Sequence, residues 1–169
     1  MKCTIYMAVS INGMITHEQT DSDWVSEADA DLFEKSCMDA GCALIGRQTY
    51  DQHEGAIYPL PDIPNVVLTS EQREDRDNVY FVQDFDSAMA KITELGCERF
   101  AAVGGAQITK QCVEAGLVDH ISVSVHPYIF GEGRPFFDDF KGRCDLKFKG
   151  VKFQDNEIIV LDYEILPKQ

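Results

Sequence analysis

The segment Arg99-Phe-Ala-Ala-Val-Gly-Gly-Ala-Gln-Ile108 constrains this chain more than any other. A short apolar run ends in a glycine pair, and apolar residues then recur at helical spacing through Ile108, Cys112 and Val113. A strand handing over to a helix across two glycines leaves no room for a loop. Glycine lets the backbone take positive φ and lets a foreign group approach, since no Cβ stands in the way. The first N–H groups of the following helix lack partners within it, and the helix dipole adds partial positive charge there. The corner therefore suits a phosphate or a carboxamide. It would serve equally as a tight β–α turn in which the glycines answer to packing.

The same handover recurs upstream in Leu44-Ile-Gly-Arg-Gln-Thr-Tyr50. A buried strand ends at Gly46, and Arg47, Gln48 and Thr49 then present a guanidinium, an amide and a hydroxyl at a helix start. A pyrophosphate needs such groups; an exposed arginine opening an ordinary helix is the alternative. Leu68-Thr-Ser70 ends a further strand with Arg73 and Arg76 nearby. Hydroxyls and arginines there would suit a ribose phosphate. They would also neutralise Glu71, Glu74 and Asp75, which is the reading preferred for Arg76.

Around these corners the pattern alternates. Strands are expected at Lys2–Val9, Cys42–Ile45, Val66–Thr69, Val79–Val82, Arg99–Val103 and Val118–Pro127. A turn at Ser10-Ile-Asn-Gly13 and an irregular loop over Met14–Trp24 follow the first strand. Ser26 caps a helix running to about Asp39 with Ala30, Phe33 and Cys37 on one face, and Asp29 stands where a capping-box acid would. Helices also follow Gly46, span Asp84–Leu95 and span Gln107–Ala115. Leu146–Phe153 and Ile158–Leu166 form a closing hairpin turned at Gln154-Asp-Asn156. Without repeats or linker-like stretches, residues 1–169 read as one domain. The expected class is three-layer α/β/α, a mainly parallel central sheet with antiparallel C-terminal strands. Ligands of such sheets bind beyond the carboxyl ends of the strands. Those ends carry Ala8–Gly13, Gly46–Thr49 and Gly104–Gln107.

Composition excludes several classes. With 29 acidic and 15 basic residues the formal charge is −14, which opposes nucleic acid or an anionic membrane as partner. The six cysteines show no CxxC spacing and read as buried thiols in a reducing compartment. No stretch is long enough to span a bilayer, no His, Asp and Glu group has metal-ligand spacing, and a cytoplasmic protein is expected.

The order Ala-Val-Ser-Ile-Asn-Gly13, Ile-Gly-Arg-Gln-Thr-Tyr50, Val-Leu-Thr-Ser70, Val-Gly-Gly-Ala-Gln-Ile108, Gly-Leu-Val-Asp-His-Ile121 and Gly-Glu-Gly-Arg-Pro-Phe-Phe137 resembles the dihydrofolate reductase superfamily. It is most similar to the branch holding the reductase domain of the riboflavin-biosynthesis deaminase–reductase. The resemblance covers nearly the whole chain and implies NADPH as cofactor. It assigns Ala8, Asn12 and Gly13 to the nicotinamide end. Gly46, Arg47, Gln48 and Thr49 would meet the pyrophosphate and adenosine ribose, and Thr69, Ser70 and Arg73 the 2′-phosphate. Gly104, Gly105, Ala106, Gln107 and Ile108 would close over the pyrophosphate and nicotinamide.

Asp29 falls where folate-reducing relatives keep a single buried acid, so it is either the proton donor or only the helix cap; Asp31 is its neighbouring alternative. Trp24 and Phe33 are expected to line the substrate pocket, although Trp24 would serve as well as a core plug. His53 is expected in a solvated loop and His126 as strand-end packing. The chain also departs from the family. Asn12 stands where riboflavin-pathway reductases carry Asp, and Asp51–Pro61 has no arginine or lysine to hold a ribose phosphate. The first helix offers only Lys35 towards a folate glutamate.

The resemblance implies an NADPH-dependent reductase of a C=O or C=N bond. The best candidate substrate is 5-amino-6-(5-phosphoribosylamino)uracil of riboflavin synthesis. Dihydrofolate reduction and non-catalytic nucleotide binding are the alternatives. Ile121, Val123, Val125 and Tyr128-Ile-Phe130 suggest an apolar sheet edge, and relatives associate there, so a homodimer built on the C-terminal strands is expected.

Overall fold

Consecutive apolar residues, as in Ala43-Leu-Ile45 and Phe100-Ala-Ala102, build one sheet with a buried face on each side. The computed structural model describes residues 1–18 and 23–167; of the loop expected over Met14–Trp24, residues 19–22 lie outside them. The chain runs β1 (Lys2–Ser10), α1 (Glu27–Ala40), β2 (Ala43–Gly46), α2 (Arg47–His53), β3 (Asn65–Leu68) and β4 (Val79–Val82). It continues α3 (Phe85–Glu94), β5 (Arg99–Ala102), α4 (Ala106–Glu114), β6 (Val118–His126), β7 (Leu146–Gln154) and β8 (Ile159–Ile165). The strands lie in the order β4-β3-β2-β5-β1-β6-β8-β7. Pairing is parallel from β4 to β6, and β8 and β7 add antiparallel at one side.

The two-residue period sorts side chains to opposite faces. Cys3, Ile5, Leu44, Phe100 and Ala102 pack with Ala88 and Ile92 of α3 and Ile108, Cys112 and Val113 of α4. Ala43, Ile45, Ala101 and Val103 pack on the other side with Cys37 and Ala40 of α1 and Tyr50 of α2. The result is the three-layer arrangement expected from the sequence. All six thiols are free, and among the described residues no helix is long and apolar enough to cross a membrane.

Local chemistry fixes the helix ends. The Ser26 hydroxyl accepts from Asp29 N at 3.3 Å, and α1 stops at Gly41, whose φ of 79° suits glycine. Asp84 caps α3 in the same way by accepting from Ser87 N. The N-cap residue of α4 is Gly105, which has no side chain to offer. That helix start is left for something other than the chain's own cap.

The sheet edge differs from the sequence reading. β6 lies inside, between β1 and β8, and Ile121 is part of the core. Tyr128 and Ile129, in the loop after β6, are exposed as the sequence suggests, while the exposed apolar residues of the sheet edge itself are Leu146, Phe148 and Val151 on β7.

Candidate active site

The carboxyl ends of β1, β2, β3 and β5 open into one cleft of about 490 Å³. Glycines shape its floor. Gly46 N donates to Gly104 O at 2.7 Å, and a Cβ on Gly46 would stand 3.2 Å from both Gly104 O and Gly105 N. Only glycine lets the two strand–helix corners approach that closely. Gly104 takes φ of +110°, a region that side chains disfavour, and the Gly104–Gly105 peptide is cis. A Cβ on Gly105 would meet nothing nearer than Thr49 Oγ1 at 3.7 Å. The corner is therefore open on its cleft side, with the uncapped start of α4 behind it. Backbone donors and a positive dipole end aimed into a glycine cradle fit a dinucleotide pyrophosphate.

The structure brings most of the sequence-named residues together. Ala8, Gly46, Arg47, Gln48, Thr49, Thr69, Ser70, Gly104, Gly105, Ala106, Gln107 and Ile108 all line the cleft, as do Asp29 and Phe33. Thr69 is buried at the end of β3 beside the exposed Ser70.

Asp29 is 2% exposed. Its Oδ1 accepts from the Tyr6 hydroxyl at 2.7 Å, and His126 Nε2 stands 3.7 Å from its Oδ2. Only the backbone N–H of Asp29 serves the helix cap, while its carboxyl group belongs to the cleft wall. Burial, and then the neighbouring Asp29 charge, hold the Tyr6 phenol well above its ordinary value, so it stays a hydrogen-bond donor. Phe33 meets the Tyr6 ring edge-on, with centroids 6.2 Å apart. His126 is buried at the end of β6, its Nε2 3.4 Å from Ser124 Oγ.

Four sequence-named residues lie elsewhere. Asn12 staples two loops: its Oδ1 accepts from Ser10 Oγ and Phe130 N, and its Nδ2 donates to Phe130 O. Gly13 takes the positive φ of the turn, and its carbonyl accepts from Phe136 N at 2.9 Å. Arg73 is held outside the cleft by Asp51 and Glu71. Trp24 lines a separate, smaller pocket of about 280 Å³ with His126 and Tyr128, and its ring lies edge-on to His126.

Sequence reasoning missed other lining residues. Ile15 and Arg134 come from two loops that pair backbone to backbone, Ile15 N donating to Arg134 O at 2.8 Å. Arg134 Nη1 also donates to Gln48 Oε1 at 3.3 Å. Its signal was the Gly-Arg-Pro sequence of that loop. Gln111 lies one helical turn beyond Gln107, hence on the same face, and its buried Oε1 has no hydrogen-bond partner. His53 lines the cleft instead of standing in solvent, and burial lowers its pKa. Among the described residues no group of His, Cys, Asp or Glu could hold a metal ion.

Comparison with known proteins gives the chain's family and fold. The profile of the RibD C-terminal domain matches residues 1–160. The uncharacterized protein YwjB of Bacillus subtilis (strain 168) is 25% identical over 169 residues, covering 96% of this chain and 97% of its own. Two solved structures share the fold. One is a protein from Shewanella sp. PV-4 provisionally assigned to riboflavin biosynthesis, with a TM-score of 0.82 and 18% identity over 99% of this chain and 100% of its own. The other is the diaminohydroxyphosphoribosylaminopyrimidine deaminase/5-amino-6-(5-phosphoribosylamino)uracil reductase of Thermotoga maritima. Its TM-score is 0.75 at 14% identity, over 98% of this chain and 56% of that larger one.

Proposed function

The chain belongs to the RibD C-terminal domain family, a family of reductases, and on that premise we propose that it is an NADPH-dependent reductase of a small heterocyclic substrate. The observation that carries the reading is one cleft holding two unlike ends. An open glycine corner suits a dinucleotide, and a buried carboxyl group braced by a phenol suits proton delivery. Bound NADPH would supply a hydride to a C=O or C=N carbon; the rest falls to this chain.

Gly46, Gly104, Gly105 and the start of α4 would cradle the pyrophosphate, with Gln48 and Thr49 beside it. Ser70 and Arg47, at the ends of β3 and β2, would face the phosphate on the adenosine ribose. Ala8, small and on the central strand β1, leaves room for a flat ring, and Phe33 walls the substrate side. Asp29, buried in the cleft wall, would pass a proton to the substrate heteroatom. Tyr6 fixes Oδ1, leaving Oδ2 for that exchange. The six free thiols support a reducing, cytoplasmic setting.

The best candidate substrate is 5-amino-6-(5-phosphoribosylamino)uracil. One observation favours a second reading, a substrate without the ribose phosphate such as dihydrofolate. The 51–61 segment brings neither arginine nor lysine to the cleft, and Arg134 enters beside Gln48 instead. The test is NADPH oxidation by the purified protein with the pyrimidine ribotide, its dephosphorylated form and dihydrofolate. Turnover of the ribotide supports the first reading, and turnover restricted to the other two the second. NADPH binding without oxidation by any of them would leave a nucleotide-binding protein and overturn the reductase reading.

A further inference from the structure

At the rim where β2 and β3 end, two arginines and two carboxylates alternate around a closed ring. Arg47 Nη1 donates to Asp51 Oδ2 at 3.2 Å, and its Nε stands 3.5 Å from Glu71 Oε1. Arg73 donates to Asp51 through both terminal nitrogens, at 2.6 and 2.9 Å. It also donates to Glu71 Oε2, through Nε at 3.1 Å and Nη2 at 2.8 Å. Each guanidinium is thus shared by two carboxylates, and the ring as a whole is neutral. The positive charge that a phosphate would seek is already engaged.

The two carboxylates are not equivalent. Asp51 sits on α2 one turn after Arg47, and the hydrogen bonds from Arg73 hold its carboxyl below the ordinary carboxylate value. Glu71 sits on the β3–β4 connection directly after the cleft-lining Ser70, and its side chain is 51% exposed against 33% for Asp51. Its backbone N–H is tied to Thr69 Oγ1 at 3.1 Å, so the side chain can move while the loop stays. Arg73 is steadied from behind by the Phe81 ring, 5.6 Å from its guanidinium carbon. An incoming phosphate would therefore displace Glu71 and leave Asp51 and both arginines in place.

We propose that Glu71 is a specificity-determining residue for the dinucleotide: its carboxylate acts as an internal anion on the Arg47–Arg73 pair and competes with the 2′-phosphate that separates NADPH from NADH. The inference rests on the cleft being a nicotinamide-dinucleotide site. With the carboxylate present, preference for the phosphorylated cofactor is held down, because the new charge-assisted contacts replace existing ones. An unphosphorylated ribose leaves the ring undisturbed.

Calorimetric titration of the full chain and of Glu71→Gln with NADPH and with NADH tests this. Gln keeps the shape and removes the charge. The expected result is NADPH binding about tenfold tighter in the variant, the size of one charge-assisted contact made available, with NADH changing by less than about twofold. A change in loop structure alone would move both cofactors together. An NADPH-to-NADH affinity ratio that stays the same or narrows in Glu71→Gln overturns the proposal while leaving the dinucleotide site standing. Binding of neither cofactor to either protein overturns the dinucleotide site, and this proposal with it.

Discussion

Tyr6 on β1 and Asp29 on α1 are joined across the sheet–helix interface by one 2.7 Å hydrogen bond, phenol to carboxylate, in the wall of the cleft. If Asp29 delivers the proton, Asp29→Asn should lower turnover by roughly 10²–10⁴-fold, the span of general acid–base groups. Tyr6→Phe keeps the acid but releases Oδ1, and a loss of about tenfold is expected. Steady-state kinetics and NADPH titration of both variants check this, with cofactor affinity within about twofold of wild type. Turnover of Asp29→Asn within a few-fold of the parent would reduce Asp29 to a helix-start residue.

The glycine corner makes a prediction of a different kind. Gly105 has an ordinary φ of −78°, and a Cβ there meets nothing closer than 3.7 Å. Gly105→Val should therefore keep a cooperative thermal melt while its side chain fills the cradle and weakens NADPH by at least about a hundredfold. Undiminished NADPH affinity in this variant would make the corner a packing turn only.

Burial also sets the alkaline limit of stability. The Cys37 thiol is pushed up from its ordinary 9.0 to about 12, and burial raises the Tyr6 and Tyr58 phenols as well. The folded chain thus holds protons that the unfolded chain releases. For Cys37 the associated stability is complete below about pH 9 and is lost as pH rises towards about 12. The slope is up to about 1.4 kcal/mol per pH unit for each such group. Urea midpoints should fall from about pH 9 towards about pH 11, less steeply in Cys37→Ala. A midpoint flat across that interval would contradict the assignment.

Much of this was legible in the sequence, and the reasons for the rest are physical. Short apolar runs and the glycine corners mark the strands, because strands buried on both faces and tight β–α turns leave local signs. Asp29 could be placed on its helix, but the choice between cap and cleft depended on Tyr6, 23 residues away. Arg73 could be placed near the phosphate end, but its engagement by Asp51, 22 residues upstream, leaves no mark in the local sequence. Arg134 and Ile15 enter the cleft through a bridge between Met14 and Pro135 that no local pattern announces. The neighbours of Trp24 are hidden from the local sequence for a similar reason, since His126 and Tyr128 come from the far end of β6.

Assembly follows from the edge strand. β7 ends the sheet and exposes Leu146, Phe148 and Val151, and an apolar edge of that length invites a partner. A homodimer joined along β7 and β8 is expected, giving a light-scattering mass near twice the 19.0 kDa of the chain. Replacing Phe148 and Val151 with Lys should return it to monomer. A parent protein that is monomeric at micromolar concentration would remove this prediction.

Hydride delivery is the central claim, and isotope transfer tests it most directly. The protein would be given NADPH carrying deuterium on the transferring face of nicotinamide C4 together with 5-amino-6-(5-phosphoribosylamino)uracil, and the product examined by mass spectrometry. The account predicts one deuterium on a reduced carbon of the product, with the label lost from the cofactor. Reduced product without deuterium, or cofactor that keeps its label after prolonged incubation with this substrate and with dihydrofolate, would contradict it.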